Sequence, residues 1–115
     1  MILDISKVAI YVRPGVCDMR KAINGLAVLV TEAMELDPLS GSLFLFCNRH
    51  RRILKCLYWD RNGFCLWQKR LEKDRFPWPD TSEAARKITE GELRMLLSGI
   101  DFFRAHRELP YSSVV

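Results

Sequence analysis

No apolar run in these 115 residues approaches the roughly 20 that cross a bilayer, and the opening MILDISKVAIYV lacks the long hydrophobic stretch of a secretion signal. These absences predict a soluble, cytoplasmic protein. The four cysteines, Cys17, Cys47, Cys56 and Cys65, form no C-x-x-C pair and have no histidine at zinc-ligand spacing, so neither a metal site nor a disulfide framework is indicated. Cys47, Cys56 and Cys65 lie in apolar runs, where a reduced thiol behaves as a small buried hydrophobe, which fits a reducing compartment. Histidine is scarce too: His50 sits in an arginine-rich loop and His106 in the tail, neither beside an evident nucleophile. The acids offer no pair on a common face of the kind two-metal chemistry requires, since Asp60 reads as a turn residue, Asp18 as a helix cap, and Glu72 and Asp74 stand among cations. The residues thus predict no catalysis, no metal and no cofactor. With no repeat, low-complexity run or linker, and 49% apolar residues to build a core, one domain over residues 1–115 is expected.

What the chain does have is a concentrated positive field. Between residues 49 and 75 there are nine Lys or Arg against three Asp or Glu, a net of +6, while the remaining 88 residues carry a net of −2. A local field on a slightly acidic body concentrates and steers anionic ligands, and the natural polyanion is nucleic acid.

Element signals place that charge. A first strand is expected over residues 8–12, ending at Arg13-Pro14-Gly15. A helix over 18–35 comes next, with Asp18 as N-cap and Met19, Ala22, Ile23, Leu26, Val30 and Ala33 on one apolar face; Gly25 in its middle suggests close approach to a strand. Three β-rich runs, 43–47, 53–59 and 64–71, are separated by a basic loop and by Asp60-Arg61-Asn62-Gly63, whose Asn-Gly pair tolerates positive φ, so they read as an antiparallel meander. Phe76-Pro77-Trp78-Pro79 is a rigid connector with Trp78 the aromatic best placed for exposure. A short strand over 84–88 and a helix from the capping box Thr89-Glu90-Gly91-Glu92 to Gly99 precede a polar tail that frays at Tyr111-Ser112-Ser113. The fold class predicted is α+β: an antiparallel meander with one packed helix and a short C-terminal helix.

In an up-down-up meander the tip at 49–52 and the exit of the third strand at 69–75 share one end of the sheet. Arg49, Arg51, Arg52, Lys69, Arg70, Lys73 and Arg75 are therefore predicted to gather there and bind DNA through its phosphate backbone, with charged-tip solubility as the plainer alternative. Arg13, Arg20 and Lys21 form a second candidate: cations in a helix's first turn oppose its dipole, a penalty that a phosphate over free amides would reverse. Among Tyr58, Trp59, Phe64, Trp67, Phe76 and Trp78, core or interface packing outweighs base stacking.

The segments YVRPGVCDMRKAINGL, LDPLSGSLFLFCNRHRR, LKCLYWDRNGFCLWQKRLEKDRFPWP and LLSGIDF, 66 of the 115 residues, resemble the TnpB-type accessory proteins (second open reading frame) of bacterial insertion-sequence-66-class elements. The resemblance implies work in transposition beside a separate, larger transposase. Two departures stand out: Gln68 replaces a common aromatic, and Asp74 a common glycine. DNA binding without strand-transfer catalysis is the function expected; the alternative is an adaptor that assembles the transposase complex without touching DNA.

Overall fold

The computed structural model describes residues 5–18, 20–101 and 103. Met19, His106 and the tail expected to fray lie outside them.

Five strands make one sheet in the order β4-β3-β2-β1-β5, where β1 is Ile10–Val12, β2 Leu43–Cys47, β3 Ile53–Asp60, β4 Gly63–Arg70 and β5 Arg86–Ile88. The fold is α+β as expected, but the sheet is mixed and not a simple meander. β2, β3 and β4 are antiparallel neighbours, with Phe44 opposite Leu57 and Cys56 opposite Trp67; β1 runs parallel to β2, with Tyr11 opposite Phe44, and pairs with β5 on its other side. A parallel pair needs a crossover. Helix α1, Ile23–Glu32, lies within that connection.

Every residue of β2 is buried, because alternate side chains are covered from opposite faces. Phe44 and Phe46 join Leu57, Leu26, Val30 and Met34 in a cluster under α1. Leu43, Leu45 and Cys47 join Leu54 and Cys56 in the other, under Leu93 and Leu96 of α2, Glu90–Leu97. The C-terminal helix therefore covers the sheet face opposite α1.

Helix α1 is shorter than its apolar spacing suggests. It begins after Ala22, which makes no side-chain cap. Asp18 instead accepts the Arg20 backbone N–H at 2.9 Å and pairs with its guanidinium, holding a tight turn upstream of the helix. At the other end Glu35 adopts a left-handed φ of 58°, and the Leu36 N–H turns back to the Val30 carbonyl at 3.0 Å. A side chain at Gly25 would meet Lys21, not a strand: an added Cβ falls 3.1 Å from the Lys21 Cβ.

The hairpin turn is also displaced. β3 continues to Asp60, which pairs with Gly63, so only Arg61 and Asn62 remain for the turn, and Arg61 takes the positive φ of 53°. At α2 the capping box is complete, with Thr89 Oγ1 accepting the Glu92 N–H at 3.1 Å and Glu92 Oε1 accepting the Thr89 N–H at 2.9 Å. Gly99, at φ 80°, closes the helix: its N–H reaches the Leu96 carbonyl and that of Ile100 reaches Met95. Thr89→Ala is expected to lower stability by about 1 kcal/mol, with Thr89→Ser recovering most of it in urea unfolding.

Candidate nucleic-acid interface

The hairpin register brings sequence-distant cations to one end of the sheet. Ile53 pairs with Arg70, the Leu71 N–H donates to the Arg52 carbonyl at 2.8 Å, and the Phe76 N–H donates to the Arg51 carbonyl at 2.7 Å. The tip before β3 is thereby laced to the chain leaving β4. Asn48 Oδ1 shapes the tip from within, accepting the backbone N–H groups of Arg52 and Ile53 at 2.9 and 3.0 Å. Arg51 takes a left-handed φ of 59°, uncommon for a residue with a Cβ, and turns the chain between His50 and Arg52.

An open cleft of about 580 Å³ lies between these segments. His50 and Arg52 from the tip, with Arg70 and Arg75 from the β4 exit, line it; Ile53 and Leu71 supply its apolar part. Glu72 lines it too and accepts from Arg70 at 3.0 Å, but the two side chains are 65% and 78% exposed, so water screens the pair and an incoming anion competes with the carboxylate on favourable terms.

The other expected cations separate. Arg49 is exposed at the tip. Arg51 lines a different, smaller cleft with Trp78 and Arg86. Lys69 points to the α2 side, where its Nζ donates to the Leu97 carbonyl at 3.1 Å, and Lys73 lies with it beside Ser98 and Gly99. Asp74, at the position where the resemblance suggests glycine, has a φ of 65°, which explains the preference: the chain needs a left-handed residue there, and aspartate tolerates it.

Around the second candidate, Arg13, Arg20 and Lys21, two of the amides after Arg13-Pro14 are already engaged. The Gly15 N–H donates to the Pro79 carbonyl and the Cys17 N–H to that of Cys47, both at 2.9 Å. Arg20 and Lys21 precede α1 instead of occupying its first turn, so no dipole penalty calls for a phosphate. Arg13 donates to the Ala84 carbonyl at 3.2 Å, and Arg20 is held by Asp18, whose carboxyl those hydrogen bonds lower to about 2. Lys21 lends its carbonyl to Lys55 Nζ, at 3.1 Å, tying the loop before α1 to β3.

The aromatics are mainly structural. Tyr58, Phe76 and Trp78 are buried, and Trp59 meets Phe64 edge-to-face with ring centroids 5.0 Å apart. Trp78, expected to be exposed, is instead an anchor: its Nε1–H donates to the Arg13 carbonyl at 2.9 Å. Burial pushes the thiols of Cys47 and Cys56 up to about 12 and that of Cys17 to about 11, so these three stay protonated at neutral pH. Among the described residues no group of three or more His, Cys, Asp or Glu could hold a metal ion, and no helix is long and apolar enough to cross a membrane.

Sequence reasoning missed Asn48, Ile53, Leu71 and His50 as parts of the cleft. The signal was the two-residue turn, which sets the pairing that carries Ile53 to Arg70.

The family model described as IS66 Orf2 like protein matches residues 8–107. Over 95 residues the chain is 41% identical to the uncharacterized protein y4hO of Sinorhizobium fredii, covering 83% of each. Over 91 residues it is 35% identical to the uncharacterized protein y4jC of the same organism, covering 79% of this chain and 78% of the relative. No solved structure matches.

Proposed function

The chain belongs to the IS66 Orf2-like family, whose members are accessory proteins of transposition, and we propose that it serves that process by gripping the phosphate backbone of DNA with the sheet end that carries Arg52, Arg70 and Arg75. The observation that supports this reading is the shared cleft: three arginines from two separate segments border one concave surface with His50, and among the described residues that line it Glu72 alone is acidic. Arginine presents a planar fork to phosphate oxygens, and each phosphate neutralised releases counterions, so a few such contacts give salt-sensitive affinity without base reading. Arg49 at the exposed tip extends the field. No group in this arrangement is assigned a catalytic part.

Fluorescence anisotropy with a labelled terminal-repeat oligonucleotide at several salt concentrations tests the grip. Replacing Arg52, Arg70 and Arg75 together with Ala is expected to weaken binding at least about tenfold and to flatten the plot of log affinity against log salt by about 2 to 3, one step per lost phosphate contact. Arg20→Ala, removing a guanidinium already held by Asp18, is expected to leave the slope unchanged. An unaltered slope in the triple variant would place the contact elsewhere.

The adaptor reading has its own support in an apolar cleft of about 370 Å³ beside α1, where Phe64 and the exposed Val28 and Leu39 meet. Contiguous exposed apolar groups of this kind suit a protein partner such as the larger transposase. It gains ground if the triple variant binds DNA normally while Val28→Lys abolishes capture of the transposase.

A further inference from the structure

A phosphate group occupies only a small part of a concavity of about 580 Å³, and the lining of this one is not all ionic. Ile53 and Leu71 line it and are each only partly buried, Leu71 also packing against the cluster under α2, so some apolar surface stays open to water among the cations. An anion held at the rim would leave that surface wet. A ligand with an anionic end and a flat apolar body would cover both.

We propose that the cleft takes one unpaired nucleotide, its base lying on Ile53 and Leu71 and its phosphate held by Arg52 and Arg75, so that the preferred partner is single-stranded DNA. This rests on the phosphate reading above and adds to it a preference between forms of the nucleic acid. A paired base is stacked inside the duplex and cannot descend into a cleft, whereas an unpaired one exposes both faces and its edge. The guanidinium planes at the rim can lie against a base as well as fork to a phosphate. Asn48 completes the chemistry: its Oδ1 is committed to two backbone N–H groups, which leaves its amide N–H groups as the donors this side chain can offer to a base-edge acceptor. Glu72, the one carboxylate at the rim, already accepts from Arg70 at 3.0 Å, so Arg52 and Arg75 are the better phosphate ligands.

The experiment compares three labelled probes on the unaltered chain at one salt concentration: a ten-residue oligothymidylate, the same backbone with abasic sites throughout, and a duplex of equal length. The single strand is expected to bind about five- to tenfold tighter than either of the others, the lower part of what base stacking supplies, because Ile53 and Leu71 are aliphatic. Leu71→Ser is expected to lower single-strand affinity to the abasic level, with an unchanged circular dichroism spectrum reporting that the variant is folded. If that variant does not fold, the abasic comparison decides by itself. Equal affinity for all three probes overturns the nucleotide cleft and leaves the phosphate grip standing; absence of binding to any of them overturns both.

Discussion

Phe44→Ala is expected to cost about 3 to 5 kcal/mol in urea unfolding, a large share of the roughly 5 to 15 kcal/mol that holds a domain of this size together. Phe44 is fully buried in β2, the central strand of the sheet, which pairs with β1 on one side and β3 on the other. Its ring lies stacked on Tyr11 at 6.0 Å and in the cluster with Leu26, Val30 and Leu57. Truncation therefore removes apolar contact with two strands and a helix at once, and a site enclosed from several directions collapses poorly around the void. Leu66→Ala, on half-buried β4 within the same cluster, is expected to cost markedly less. A loss below about 1 kcal/mol for Phe44→Ala would mean that α1 does not seal this face.

The run that contains Phe44 also shows where the sequence is plain and where it misleads. Leu43–Cys47 has no polar alternation. A strand of that kind is covered on both faces and suits a parallel neighbour, which points to helices on opposite sides of the sheet and a crossover before it. The meander expectation passes over this signal because β1 offers only three residues with which to announce a partner. The two hairpin strands, by contrast, are legible: length, aromatic content and a short turn leave one arrangement, and with it the meeting of the 49–52 tip and the 69–75 exit. Facing is harder. Lys69 and Arg70 are chain neighbours, yet successive strand residues point to opposite faces, so one reaches the carbonyl of Leu97 under α2 while the other borders the cleft. Charge counting along the chain cannot divide them; register can. The expected cradle around Arg13, Arg20 and Lys21 is hard to read for a different reason, since whether a backbone amide is free depends on segments that arrive from elsewhere, here the carbonyls of Cys47 and Pro79 that engage Cys17 and Gly15.

Trp78 is where fold and candidate site meet, and its substitution is expected to disturb both. The connector that carries it is tied down at three points: Phe76 N–H to the Arg51 carbonyl, Trp78 Nε1–H to the Arg13 carbonyl, and the Pro79 carbonyl to Gly15 N–H. The first of these ties fixes Arg75 beside the tip, and the other two fix the connector to the end of β1. Trp78→Phe keeps most of the buried ring and deletes only the indole donor, leaving a partly buried carbonyl short of its partner, at an expected cost of about 1 to 2 kcal/mol. Trp78→Ala also empties the space beneath the sheet and is expected to cost about 3 to 5 kcal/mol. The two substitutions diverge in their effect on binding. With the connector still packed, the Phe variant is expected to hold oligonucleotide as tightly as the unaltered chain. The Ala variant, assayed well below its unfolding midpoint, is expected to bind several-fold more weakly because a loosened connector no longer keeps Arg75 beside the tip. If both variants bind alike while differing in stability, the rim does not depend on the connector, and Trp78 serves the core alone.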